Sequence, residues 1–119
     1  MLRLIEKNKR EIFYETIFYL VGIGSTILFY KNNILLTGIL FISWMFAIKI
    51  WHGKKDVQVY IVSAVFGPVG EMAAIYFGVW SYSNPTVLGI PMWLPFLWGM
   101  AGMLLYRIST IFVTDARRK

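Results

Sequence analysis

The stretch GPVGEMAAIYFGVWSYSNPTVLGIPMWLPFLWGMAG, residues 67–102, decides how this chain is read. It holds all four prolines (Pro68, Pro85, Pro91 and Pro95), three of the five tryptophans and six of the ten glycines, yet only one charged side chain, Glu71. A run this long with so little for water to solvate reads as two lipid-facing helical segments. The connection between them is SYSNPTVLGIP, whose Ser, Asn, Pro and Gly are turn formers.

The whole chain has the same character. Its 119 residues are 58% hydrophobic and 15% charged, with a mean hydropathy of +0.62. Soluble domains are about 45–50% apolar and about 25% charged. Outward from the central run, IFYETIFYLVGIGSTILFY (12–30) predicts a first helix, long enough at ~1.5 Å per residue to cross a ~30 Å hydrocarbon core. A polar turn at Lys31, Asn32 and Asn33 returns the chain into a second helix over 34–51, and the loop HGKKD leads to a third over 57–80. A fourth runs over 93–113 and is followed by ARRK. The expected fold is therefore all-α: a single four-helix transmembrane domain over 1–119, multi-pass in the cell membrane. The opening MLRLIEKNKRE places Leu2, Ile5 and Ile12 at helical spacing among Arg3, Lys7, Lys9 and Arg10, which predicts a segment lying on the membrane surface. The apolar run after it is longer than the roughly 7–15 residues of a signal sequence and no A-x-A site follows, so it is expected to be retained.

Charge distribution gives orientation. The formal net charge is +6, and in a soluble protein this excess would suggest nucleic acid. Here Arg3, Lys7, Lys9 and Arg10 precede the first helix, Lys49, Lys54 and Lys55 flank the second loop, and Arg117, Arg118 and Lys119 end the chain. Lys31 alone falls on the other side. The positive-inside rule then places both termini in the cytoplasm and residues 81–92 outside. No nucleic-acid partner is expected. Cysteine is absent and His52 is the only histidine, expected to be solvated in its basic loop, so no metal site and no cofactor are expected. The spans lack G-x-S-x-G, Walker-type and H-E-x-x-H patterns, which removes the common hydrolase and nucleotide chemistries.

Three charges fall inside the spans. Glu71 lies nine residues before Trp80, about 13.5 Å at helical rise, which predicts a position near the bilayer midplane. An acid there must face protein or water. Gly67, Gly70, Ala74 and Gly78 make a small-residue stripe around it, with Gly102 as a packing partner, and such stripes let helices approach closely. Pro68 leaves the Ala64 carbonyl without its helical donor, an acceptor beside the acid. Two readings stay open for Glu71: a candidate catalytic acid or polar contact for a lipid-like ligand, and a structural acid joining helices. Glu15 and Arg107 lie at one level on the first and fourth helices, which predicts an ion pair between them; snorkelling of each to the interface is the alternative. Tyr76, Trp80, Tyr82, Trp93 and Trp98 are expected with Glu71 as ligand-binding residues, although Trp80, Tyr82 and Trp93 also suit an interfacial aromatic belt.

Glu71, Phe77, Gly78, Trp80 and Tyr82, followed by Gly89, Ile90, Pro91, Leu94, Pro95 and Trp98, resemble a pattern of the integral-membrane carotenoid-biosynthesis family that includes carotenoid hydratases. There an acid precedes F-G-x-Y-x-Y and a G-[IV]-P-x-x-[VL]-P-x-x-W turn. The resemblance covers about residues 71 to 98. It implies a polyene or isoprenoid ligand, with Glu71 as the acid that protonates a double bond. Family members are roughly twice as long, and Trp80 stands where the first Tyr would be. The chain is also similar in size and helix number to the small multidrug resistance transporters, with Glu15 in the first helix, but lacks their aromatic and glycine motif in the third. Three functions remain: a non-catalytic subunit or homo-oligomeric component of a membrane assembly with a lipid-facing site around Glu71, an isoprenoid-modifying enzyme, and a proton-coupled transporter. All three call for membrane lipids and a homo-oligomer or larger complex as partners, because four helices shield an interior acid poorly.

Overall fold

The computed structural model of the chain describes residues 2–50 and 53–117. His52, expected to be solvated, lies outside the described residues, as do Met1, Trp51, Arg118 and Lys119. The described chain is all-helical, with α1 at Leu2–Lys7, α2 at Lys9–Phe29, α3 at Asn33–Ile50, α4 at Lys54–Tyr76 and α5 at Leu94–Arg117. Four of these, α2 to α5, are long and apolar enough to cross a membrane.

Local chemistry sets the ends. Asn32 caps α3 by accepting the Leu35 N–H on its side-chain oxygen at 3.1 Å, and Asp56 holds the start of α4 by accepting the Gly53 N–H at 2.9 Å. The expected third helix over 57–80 stops four residues early. Gly78 takes φ +79°, its N–H bonds to the Ile75 carbonyl, and the Val79 N–H reaches back to Ala74. This is the Schellman closure, which needs a left-handed residue that glycine supplies without strain. Gly78 is therefore a helix stop rather than a member of the packing stripe. At the other end of the connection Pro95 sits in the first turn of α5, where its missing N–H has no helical partner to lose.

α5 is the hub and packs on each of the other helices, most extensively on α4. The α4–α5 seam depends on missing side chains. Gly67 lies directly against the Trp98 indole, Gly102 against Ser63, and a Cβ on Gly99 would stand 2.6 Å from the Tyr60 ring. Of the expected stripe, Gly67 and Gly102 take part; Gly70 has open space beside it and Ala74 is half-buried. Gly99, three residues before Gly102, completes the seam. On the far side of α5, Leu36, Leu40 and Ala47 of α3 are fully buried with Met103. Trp44 stacks on Tyr60 at 4.4 Å and donates its indole N–H to the Met103 sulfur at 3.2 Å.

The remaining surface is apolar. Leu28, Ile34, Phe66 and Phe77 are each more than 70% exposed, a distribution that suits acyl chains rather than water. Ser25, Thr26, Thr37, Ser43 and Ser109 turn their hydroxyls onto the carbonyl four residues earlier, which satisfies them within their own helix where no water would be available.

Candidate functional site

Because α4 ends at Tyr76, Glu71 stands five residues from the helix end, about 7.5 Å at helical rise. This moves the acid away from the expected midplane position, into the half of α4 nearer the α4–α5 connection. Tyr82 returns over it from the connection and donates its hydroxyl to Glu71 Oε2. Burial first, and then the neighbouring Glu71, push the Tyr82 phenol up from its ordinary pKa, so it stays protonated and remains the donor of the pair.

The pair closes one end of a cavity of about 390 Å³ between α2 and α5. Phe18 and Gly22 line it from α2, and Leu97, Met100 and Leu104 from α5. Gly22 makes the room: a Cβ there would stand 3.4 Å from the Met100 methyl and 3.7 Å from Leu97. Its lining on α5 extends from Leu94 to Leu105, about 16 Å along the helix, or roughly half a ~30 Å hydrocarbon core. The lining is almost wholly apolar, with Glu71 and Tyr82 as its polar end. Glu71 and Trp98 also border a second hollow with Phe66, Gly67 and Trp80. The expected ligand-binding residues therefore divide. Glu71, Tyr82 and Trp98 meet at the groove, and Trp80 borders only the neighbouring hollow. Tyr76 is 83% exposed on the outside of α4, because the helix stops there. Trp93 is buried, donates its indole N–H to Asn33 Oδ1 at 3.1 Å, and lies outside the groove, against a separate hollow that it shares with Tyr82.

Asn33 is the piece the residue patterns did not reveal. Its amide also donates to the Asn84 carbonyl and to Thr86 Oγ1, each at 3.0 Å, while Asn84 donates to the Lys31 carbonyl at 2.6 Å. The α2–α3 turn is thus tied to the α4–α5 connection, which holds Tyr82 over Glu71. The tip of the connection is a two-residue turn between Val87 and Ile90, with Leu88 at φ +49° and Gly89 at φ +86°. Gly89 is required twice, for its backbone and because a Cβ there would lie 2.7 Å from Ile75. Asn33→Ala removes the acceptor of a buried indole N–H and two further bonds, so a loss of about 1–3 kcal/mol is expected. Thermal unfolding in detergent should show it as a lowered Tm, with Asn33→Asp, which keeps an acceptor for Trp93, losing less.

At the opposite end of the bundle, Arg107 is fixed by two carboxylates. Its Nε lies 3.0 Å from Glu11 and one terminal nitrogen 2.5 Å from Asp56. The expected Glu15–Arg107 pair is thereby corrected. Glu11 shares the face of α2 with Glu15 one turn closer to the helix start, and Asp56 reaches Arg107 from the first turn of α4. Glu15 itself is fully buried. Asp56, 2% exposed, had been hidden within a loop that reads as solvated.

Comparison of the chain with protein families, with curated protein sequences and with solved structures finds no match.

Proposed function

We propose that this protein is a non-catalytic, multi-pass component of the cell membrane, with both termini cytoplasmic, that holds a single-chain isoprenoid-like lipid in the α2–α5 groove. The observation that carries this reading is the groove itself: a half-bilayer-long apolar trough with one polar end, the Glu71–Tyr82 pair. Such a site suits an elongated apolar molecule carrying one polar group, whose tail fills the trough and whose head meets the carboxyl. The excess of Lys and Arg on the side of the termini supports the orientation. An enzymatic role finds less support, because Glu71 is the only acid and Tyr82 the only hydrogen-bonding partner it meets among the described residues of the groove. A neighbouring chain or copy would cover the open hollow where Phe66, Trp80 and Trp98 flank the same carboxyl, which fits a subunit of a homo-oligomer or larger assembly.

The test is lipid retention. Protein purified in mild detergent is expected to carry one lipid per chain by native mass measurement. Leu97→Trp, which fills the trough, should abolish retention. Glu71→Leu, which removes the polar end of the trough, should weaken it about 10-fold, the effect of losing one hydrogen bond of roughly 1.5 kcal/mol. Unchanged retention in a folded Leu97→Trp protein would sink the proposal. Chemical conversion of an added polyene, lost in Glu71→Gln, would favour the enzymatic reading instead.

A further inference from the structure

A second cavity, at the opposite end of the molecule from the groove's polar pair, has the opposite character. It measures about 440 Å³, is lined mainly by polar atoms, and forms where the α1–α2 break at Asn8 meets the end of α3 at Ile50 and the Arg107 side of α5. Lys7, Arg10 and Arg107 border it, together with Glu11 and Tyr14. We propose that this cavity binds the phosphodiester headgroup of an anionic phospholipid.

Charge, preorganisation and position carry the assignment. Arg107 is already locked by Glu11 and Asp56, and Arg10 lies across the Tyr14 ring at 5.7 Å from its centroid, so two of the three cations are held before a ligand arrives. The lining itself carries these three cations and one carboxylate, Glu11, an excess of positive charge that favours an anion. The cavity sits at the level where α2 begins and α3 ends, which is where headgroup phosphates lie when these helices span a bilayer. Ile50 forms part of its wall, and Leu2 and Ile5 are exposed on α1, the short helix that ends at Lys7 of the lining, so the elements that build the cavity also offer apolar surface to acyl chains. Basic pockets between spans at this level are suited to such headgroups. This site is independent of the α2–α5 groove: either one stands if the other fails.

The experiment uses the full chain in nanodiscs or mild detergent, with phosphatidylglycerol as the probe and phosphatidylcholine as the neutral control, read by native mass measurement and by lipid titration. The protein is expected to retain phosphatidylglycerol over phosphatidylcholine. The double variant Lys7→Ala, Arg10→Ala is expected to lose roughly 30-fold in phosphatidylglycerol affinity, the effect of two basic residues near the surface. Lys9→Ala, which removes a charge outside the cavity, should retain nearly all of it. Equal binding of the two lipids, or equal losses in Lys9→Ala and the double variant, would overturn the proposal in favour of diffuse surface attraction. Displacement of phosphatidylglycerol by millimolar inorganic phosphate would overturn it in favour of a free-anion site. A double variant that keeps its Tm but also keeps its bound phosphatidylglycerol would overturn it outright.

Discussion

Gly67→Leu is expected to separate α4 from α5. The added Cβ falls within the Trp98 indole, and the rest of the side chain has nowhere to go while the two backbones keep their present spacing. Overfilling a packed interior costs about 1–3 kcal/mol where neighbours can shift. Here the neighbour is a large ring, and the same seam is held closed by Gly99 beneath Tyr60 and Gly102 beneath Ser63, so a loss of ~3 kcal/mol or more is expected. Denaturation in mixed detergent should show it as loss of the folded form. Gly70→Leu provides the control. It lies on the same helix three residues later, in open space, and should change stability by less than about 0.5 kcal/mol. Combining Gly67→Ala with Trp98→Ala should recover much of what Gly67→Ala alone loses, because the clash is between those two side chains.

Arg107→Ala is expected to be as damaging at the other end. It leaves the 2%-exposed Asp56 and the half-buried Glu11 without the cation between them. Removing one partner of a buried pair typically costs about 3–5 kcal/mol. Asp56 also accepts the Gly53 N–H at the start of α4, so any shift of that carboxylate loosens the helix entry as well. Arg107→Lys should recover only part of the loss, since one ammonium does not present two divergent donors to two carboxylates. The double variant Arg107→Met, Asp56→Asn should be more stable than Arg107→Ala alone. A chemical unfolding series in one detergent compares all three.

The four long helices and their number were legible because hydropathy and length leave few alternatives: a stretch such as ILLTGILFISWMFAIKI is long and apolar enough to cross a membrane as a helix. Helix ends were less legible. Gly78 reads as one more small residue in an apolar run, and only its left-handed backbone, with Val79 bonded back to Ala74, turns it into a stop. That single misreading moved Glu71 by four residues along the helix, away from the end of α4 and toward the middle of the expected span. The Glu71–Tyr82–Trp98 grouping followed from the density of aromatic residues around one acid, whereas Tyr76, exposed at the end of α4, was drawn in by residue type alone. Trp93 is held by Asn33, sixty residues away in the chain, and no local pattern announces a contact made only after α3 and α4 have run out and back. The Arg107 cluster was missed for a related reason: helical rise fixes depth to within a turn, so Glu11 and Glu15, on one face and one turn apart, are equally good partners on sequence grounds, and only the packed structure sets Arg107 against Glu11.

A photoactivatable single-chain lipid, incorporated into membranes containing the protein and mapped by peptide mass after crosslinking, tests the central claim most directly. Adducts are predicted on Phe18, Leu97 and Met100, which line the groove, with loss of those adducts in Leu97→Trp. Adducts spread evenly over Ile42, Ile61 and Val65, the outward faces of α3 and α4, with no enrichment in the groove, would contradict it.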